Sequence, residues 1–430
     1  MTSSDLMNTD AKTAAERVFR QESGRILAGL IRFSGSFDRA EEAMQEAFSA
    51  ALASWPEKGI PQNPAAWITA IANRKLIDQS RREKTRQEKQ DSLRYETTTS
   101  SYSDSCETDE TSMHFPDDRL RLIFTCCHPA LRWEAQVALT LKTLGGLTVG
   151  EIAKAFLISE PTVAQRIVRA KRKIEEAGIP YEVPAGDRLP ERLASVQAVI
   201  YLIFNEGYIA TAGDHLIRTD LCAEAIRLGR VLCELLPREP ENTGLLALML
   251  LHDSRRDARV NPAGELVPLE EQDRSLWHAG QIYEGLRLVE HALRAGAIGP
   301  YQLQAAIAAV HAEAKTSRDT DWRQIAALYQ ELSRRHPSAV VSLNHAVAVA
   351  MSQGLEQGLK LIDQLGDTAG LKSYYLYHAA RADILRRMCR QDEALQEYER
   401  TLALTTNAVE QRYLRRRIAE LTSSARRSNF

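Results

Sequence analysis

The sequence lacks the features that mark membrane, secreted and strongly basic proteins. In 430 residues the longest unbroken apolar runs are seven residues, Ala198–Phe204 and Leu245–Leu251, whereas a membrane span needs about 18. The six cysteines form no Cys-x-x-Cys pair, and the first ten residues lack a basic patch followed by an apolar stretch. We therefore expect free thiols, no secretory signal, no membrane association and a reducing, cytoplasmic location. Because the net charge is −2, any affinity for nucleic acid must come from local basic patches.

Period-two alternation is also scarce, and helical spacing replaces it almost throughout the chain. Apolar residues recur three and four positions apart, as in Ala40, Ala43, Met44 and Ala47. Most of the 15 prolines fall at expected helix ends or loops. The pattern predicts an all-α protein of roughly three domains.

Two breaks divide this helical pattern. Between Asp91 and Ser112, 11 of 22 residues are Ser or Thr, and acidic residues outnumber the single Arg. Such a stretch cannot bury enough apolar surface to offset its ordering entropy, so we predict an acidic linker over residues 90–115. A second boundary, "GIPYEVPAGDRLP", lies near residues 178–190. The predicted units are residues 10–89, 116–180 and 187–425.

The last unit contains a loose internal repeat. An offset of 36 residues aligns Ala346 with Ala382 and Gly358 with Ala394. Small residues at fixed places let paired helices approach closely, as in tetratricopeptide-like repeats. We predict such an array from about residue 300, with an irregular helical bundle as the alternative. A stacked array offers a concave surface suited to a protein or peptide partner.

The stretch "TVGEIAKAFLISEPTVAQRIVRAKRKI", residues 148–174, has the form of a helix-turn-helix. Thr148 and Glu151 can form a capping box, and Pro161 suits the first turn of the second helix. Val163, Ile167 and Val168 are expected to face inward. Five basic residues and no acidic one lie between Pro161 and Lys173, which favours placement of this helix in a DNA major groove. A helix pair with a solvated basic face is the alternative.

A second basic helix is predicted upstream. Seven Lys or Arg lie between Arg74 and Lys89, against three acidic residues. Basic side chains beside aromatics suit unstacked single-stranded DNA, although Trp67 is more readily explained as a core residue. The preceding helix "FDRAEEAMQEAF" carries acidic residues on its outer face, which suggests a basic protein partner or simply a solvated surface.

In this order, the modules resemble an ECF-type (extracytoplasmic-function) sigma factor of bacterial RNA polymerase. "FDRAEEAMQEAF" is similar to the polymerase-binding helix of region two, "NPAAWITAIANRKLIDQSRR" to its −10 helix, and residues 116–176 to region four. The family's usual Asp in "D-x-x-Q-E" is Glu42 here. "LIFTCCHPAL" and the helices after residue 187 resemble a subgroup with a long C-terminal, tetratricopeptide-like extension. The resemblance implies that core RNA polymerase and promoter DNA are partners. We expect no cofactor, and our hypothesis is that the extension regulates the sigma modules in cis.

The resemblance also implies roles for individual residues. Those matching the polymerase contact are Asp38, Glu41, Glu42, Gln45 and Glu46. Those matching −10 recognition are Asn73, Arg74, Lys75, Arg81 and Arg82. Those matching −35 recognition are Thr162, Gln165, Arg166 and Arg169.

Other reactive or charged groups point less clearly to function. Glu206 in "FNEGY" has no placed catalytic partner, and adjacent Cys126 and Cys127 point in different directions, which disfavours a metal site. We expect neither an enzyme nor a metalloprotein. The charged cluster from Arg255 to Arg274 is expected to lock a loop, with an interaction surface as the alternative. Arg415–Arg417 are expected to form a solvated helix face. The alternative function is a stand-alone helix-turn-helix regulator with a sensing helical domain.

Overall fold

The computed structural model describes residues 3–92, 116–156, 158–210, 214–366 and 371–428. The predicted linker at 90–115 therefore lies almost wholly outside the described residues. Within the described ranges the protein is all-α, as predicted, and its β pairing is limited to a single bridge between Val260 and Leu266. The helices are α1 (Ser3–Ser34), α2 (Phe37–Lys58), α3 (Pro64–Ser92), α4 (Pro116–Cys126), α5 (Trp133–Thr143), α6 (Val149–Phe156), α7 (Glu160–Glu176), α8 (Arg188–Tyr208), α9 (Thr219–Leu235), α10 (Pro240–Asp253), α11 (Ala279–Arg294), α12 (Pro300–Glu313), α13 (Trp322–Arg335), α14 (Ala339–Gln353), α15 (Leu355–Leu365), α16 (Tyr375–Arg387), α17 (Gln391–Leu404) and α18 (Ala408–Ser428).

Five short 3-10 helices also occur in these ranges. They are Arg256–Ala258, Leu269–Glu271, Arg274–Leu276, Ser317–Asp319 and Leu371–Ser373. None of the helices in the described ranges combines the length and apolarity that a membrane crossing requires.

The chain forms two compact units. The first comprises residues 1–154 and 158–199, and the second comprises residues 155–157 and 200–430. In the first unit, α1, α2 and α3 pack together, with Phe19 against Phe48 at a ring distance of 5.3 Å. Helix α1 also packs against α4 and α5, so the two predicted sigma modules share one core.

A glycine turn allows this close packing in the first unit. Gly146 has φ +65°, a left-handed conformation that glycine adopts without steric cost. A Cβ at this position would lie 2.9 Å from the hydroxyl of Ser23 on α1. The turn after α5 therefore approaches α1 more closely than a larger residue would permit.

The second unit is an array in which helices pack mainly against their neighbours in sequence. The pair α14 and α15 begins at Ala339 and Leu355, and the pair α16 and α17 begins 36 residues later at each helix. Gly358 allows α15 to approach α14 closely, because a Cβ at position 358 would lie 2.2 Å from the Cβ of Ala350. The aligned positions Ala346, Ala382 and Ala394 are buried, as the predicted repeat requires. Helices α12 and α13 pack together as a third pair.

Candidate nucleic-acid interface

Helix α2 divides its residues cleanly between core and surface. It begins after Ser36, whose side chain accepts a hydrogen bond from the backbone N–H of Arg39. Its buried stripe comprises Phe37, Ala40, Ala43, Met44, Ala47, Ala51 and Trp55. Of the residues predicted to contact polymerase, Asp38, Glu42 and Gln45 are exposed, while Glu41 and Glu46 are half-buried. The acidic face of α2 thus points away from the hydrophobic core.

Helix α3 places the predicted −10 residues on its outer side. Ala65, Ile68, Ala72 and Leu76 form its buried stripe. The −10 set comprises exposed Arg74, Lys75, Arg81 and Arg82, with Asn73 half-buried. Trp67 is half-buried and packs edge-to-face on Trp55 at 5.7 Å, so its ring contributes to the core more than to a free stacking surface.

An ion pair joins the acidic face of α2 to the basic face of α3. The ammonium of Lys75 lies 3.0 Å from the carboxylate of Glu46, and both side chains are more than two-fifths exposed. Arg39 of α2 also donates to the hydroxyl of Ser80 at 2.7 Å. An exposed ion pair of this kind contributes little to stability, so either side chain can exchange it for another partner.

Helices α6 and α7 form the predicted helix-turn-helix. The backbone N–H of Thr148 donates to Glu151 at 2.7 Å, and that of Glu151 donates to the Thr148 hydroxyl at 3.1 Å. The predicted capping box is confirmed. At the second helix, Ser159 is the N-cap and Pro161 lies in the first turn, where its missing N–H leaves no donor unsatisfied.

Two of the three apolar residues of α7 that were predicted to face inward do so. Val163, Ile167, Ala170 and Ile174 are buried, while Gln165 and Arg169 are exposed and Thr162 and Arg166 are half-buried. Val168 was predicted to face inward, which is wrong, because 62% of its surface is exposed. Positions 163, 167, 170 and 174 already form a complete inward stripe at helical spacing, and residue 168 lies outside it.

Lys171 of α7 joins the helix-turn-helix to the predicted polymerase contact. Its ammonium lies 2.8 Å from Asp38 and 2.8 Å from Glu41, and only 13% of its side chain is exposed. Desolvation disfavours the charged form, but the hydrogen bonds to the two carboxylates outweigh it, and the pKa of Lys171 is raised. The lysine therefore stays protonated and pairs with two of the five predicted polymerase-binding side chains.

Further polar contacts join the same two modules. Arg20 of α1 pairs with Glu151 of α6, and Arg32 lies 3.2 Å from Asp118 of α4. The hydroxyl of Tyr181 donates to the carbonyl of Ala28 at 2.9 Å. These contacts were not predicted, because the sequence shows the charges but not which of them meet.

The thiols of Cys126 and Cys127 are buried beside threonine hydroxyls. Burial raises the pKa of Cys126 and Cys127, the latter to about 12, and their sulfurs lie beside the hydroxyls of Thr143 and Thr140. No group of three or more metal-ligating side chains occurs among the residues that the structure describes.

Glu206 lies half-buried in α8 and has a polar or charged partner.

In the loop after α10, charged side chains hold the chain as predicted. Arg256 pairs with Asp253 at 2.5 Å, and His278 lies 2.9 Å from Asp257. Arg274 donates to the carbonyl of His311 at 2.6 Å. Each contact joins the loop to a neighbouring helix or to another part of itself, so the cluster fixes the loop.

Comparison with known proteins identifies the modules. Residues 18–86 match sigma-70 region 2, residues 121–174 match sigma-70 region 4, and residues 192–293 match a family of unknown function (DUF6596). An uncharacterized protein of Rhizobium meliloti (strain 1021) is 44% identical over 401 residues, which cover 92% of this chain and 93% of the relative. No solved structure matches the chain.

The matched ranges coincide with the surfaces built above. Region 2 covers α2 and most of α3, and region 4 covers α5, α6 and most of α7. Sigma factor families are generally not enzymes, and their domains imply binding to core RNA polymerase and promoter DNA. The chain belongs to the sigma-70 family: it is a sigma factor that directs RNA polymerase to promoters, and its two modules and long C-terminal extension are consistent with an ECF-like member.

Proposed function

We propose that three outer helix faces divide the work of promoter recognition in the bacterial cytoplasm. The acidic face of α2 binds core polymerase, the basic face of α3 binds and helps melt the −10 element, and α7 reads the −35 element. Each face carries the predicted residues outward while an apolar stripe holds its helix in the core. This separation of core and surface on α2, α3 and α7 is the observation that carries the proposal.

Residue roles on α7 follow from its orientation. Gln165 and Arg169 are exposed on the outer side of the helix, and Arg166 is half-buried at the edge of the apolar stripe. In a major groove, Arg can contact guanine in a bidentate way and Gln can contact adenine. Thr162 bonds the N-cap Ser159 through its hydroxyl at 2.7 Å, so its base contact would require that bond to exchange.

The arrangement in the first unit is a closed state in this proposal. Polymerase competes with Lys171 of α7 for Asp38 and Glu41, and it engages both carboxylates fully only when Lys171 has left them. Binding to polymerase therefore separates α7 from α2, which also releases α7 for the −35 element. A sigma factor that depends on polymerase in this way binds promoter DNA poorly by itself, because its modest local charge excess releases few counterions.

We propose further that the C-terminal extension is a tetratricopeptide-like array that regulates the sigma modules in cis. The 36-residue spacing of successive helix pairs supports the repeat assignment. A truncation tests the regulation. It should end after Tyr208 rather than near residue 185, because Arg192 donates to the carbonyl of Phe124 and belongs to the first unit. Unchanged transcription by the truncated chain would count against a regulatory role.

Run-off transcription with core polymerase tests the assignment of the faces. Charge reversal of Glu42 on α2 should reduce association with core, whereas Arg169→Ala should spare that association and reduce transcription from a promoter with an intact −35 element. Glu57, an exposed acid near the end of α2, offers a matched control for charge reversal. A chain that shifts promoter DNA alone and gives no transcript with core would instead be a stand-alone helix-turn-helix regulator.

A further inference from the structure

A short acidic segment crosses the C-terminal helices of the second unit. This segment, called the strap, comprises residues 264–271, "GELVPLEE". Glu270 lies 2.6 Å from Arg387 of α16, Glu265 lies 3.1 Å from Arg416 of α18, and Glu271 pairs with Arg417 of α18. Three carboxylates of one segment thus meet three arginines on two helices.

A side chain of α18 also donates a hydrogen bond to the backbone of the strap. Arg412 of α18 donates to the carbonyl of Gly264 at 2.8 Å. The half-buried state of Arg416 and Arg417 contradicts the expectation that residues 415–417 form a solvated face. Only Arg415 is exposed. The sequence could not reveal this, because the matching acidic residues lie about 150 positions upstream.

A groove opens beside the strap. It has a volume of about 790 Å³, and residues 268–271 of the strap form part of its wall. Its other walls include apolar and aromatic side chains from α13, α14, α16, α17 and α18, namely Trp322, Val347, Met351, Ala379, Tyr398, Tyr413 and Leu414. Of the arginines that hold the strap, Arg387 also lines the groove, so the apolar lining adjoins an arginine that already holds a carboxylate.

The strap is held by contacts that can exchange. The side chains of Glu270 and Glu271 are 39% and 43% exposed, while those of Arg387 and Arg417 are 25% and 13% exposed. Solvent therefore reaches each pair from the glutamate side and screens it. The arginines keep local partners without the strap, since Arg387 also pairs with Asp383 at 2.7 Å and Arg417 with Glu420 at 3.1 Å. Loss of the strap would therefore not leave isolated buried cations.

We infer that the arginines of α16 and α18, together with the groove beside the strap, form a receptor for an acidic peptide of a partner protein, and that the strap occupies these arginines as an internal competitor. The partner presents an extended segment in which an apolar residue stands next to carboxylates, as Leu269 stands next to Glu270 and Glu271. Its carboxylates replace those of the strap on α16 and α18, and its apolar side chain enters the groove. The regulatory meaning of this binding rests on the function proposed for the extension, but the binding itself does not.

Peptide binding to the full chain tests the inference. The probe is a fluorescein-labelled peptide with the sequence of residues 261–274, and the reference probe has its three internal glutamates, matching 265, 270 and 271, replaced by glutamine. The strap is weakened in the protein by Glu265→Gln, Glu270→Gln and Glu271→Gln together. We expect fluorescence anisotropy to show about tenfold tighter binding of the acidic probe to this variant than to the wild type.

Arginine variants identify the binding face. Adding Arg387→Glu and Arg417→Glu to the weakened-strap variant should reduce binding of the acidic probe to the level of the neutral probe. Adding Arg334→Glu should leave binding unchanged, because Arg334 lies on α13 and pairs with Glu331 of its own helix. Equal affinity for the acidic and neutral probes, or equal effects of the two sets of arginine changes, would overturn the inference.

Hydrogen exchange on the wild-type chain gives a second test that needs no substitution. Saturation with the acidic peptide should accelerate exchange of the strap amides, including that of Val267, which donates to the carbonyl of Arg259 at 2.9 Å. Unchanged exchange at saturation would show that the strap is a fixed part of the fold and not a competitor. Neither experiment contains polymerase or DNA, so a failure of the promoter assignments would not alter either result.

Discussion

Replacement of Lys171 by alanine should make the closed state of the sigma modules less stable. The side chain is 13% exposed and makes two 2.8 Å contacts with carboxylates, but Asp38 is 81% exposed and its contact is screened by solvent. The two pairs together should contribute about 1–2 kcal/mol. That range corresponds to a factor of roughly 5–30 in the ratio of closed to open molecules.

The assay is equilibrium association with core polymerase in the absence of DNA, so a contact between Lys171 and phosphate cannot enter the result. If the closed state predominates, Lys171→Ala should tighten apparent affinity for core by about the same factor, since only open molecules bind. Lys173→Ala is the matched control, because Lys173 is an exposed lysine on the same helix. Equal affinities for the wild type and Lys171→Ala, or an equal gain in the control, would refute the masking argument.

Three further predictions concern recognition, packing and pH. Arg166→Ala should weaken −35 recognition by about 1–3 kcal/mol if the arginine reads a base, and an unchanged preference across a panel of −35 mutants would remove that role. Gly358→Ala should destabilise the array by about 1–3 kcal/mol, because the added Cβ would clash with Ala350. The control, Gly280→Ala, should not lower the melting temperature, because no atom lies within 4 Å of its added Cβ. Similar melting temperatures for the two variants would contradict this prediction. Burial, together with Arg255 and Arg274, lowers the pKa of His311 from 6.5 to about 4. The unfolded chain therefore takes up this proton first as pH falls from 6.5 towards 4, and the free energy of unfolding should drop by up to about 3 kcal/mol. Urea unfolding at pH 7 and pH 5 should show a smaller drop for His311→Gln, and an identical drop would exclude His311 as its source.

Local patterns predicted the elements of this protein well. The capping box at Thr148 and the proline in the first turn of α7 require only neighbouring residues, and both are confirmed. The 36-residue offset likewise matched helix starts, because helix periodicity and small residues at close approaches are local properties. The prediction for Val168 was wrong because a residue next to Ile167 is turned by about 100° around the helix, which places the apolar side chain of Val168 outside the buried stripe.

The partners and burial of charged side chains were less predictable than the burial of apolar residues. An apolar stripe is buried wherever its helix packs, whereas a charged side chain depends on which opposite charge the fold brings near it. The solvated face expected at 415–417 is a case in point, since Arg416 and Arg417 meet glutamates of the strap. For the same reason, the sequence does not distinguish Lys171 from the other four basic residues between Pro161 and Lys173.

By itself, the sequence determined the all-helical class, the order of the sigma modules and the outward faces of α2, α3 and α7, because these follow from periodicity and capping within a few turns. Tertiary structure alone decided that Lys171 pairs with Asp38 and Glu41, which are 133 and 130 positions away, and that the strap lies on α16 and α18. Ion pairs between distant segments have no local signature, since their geometry exists only after the apolar stripes have packed.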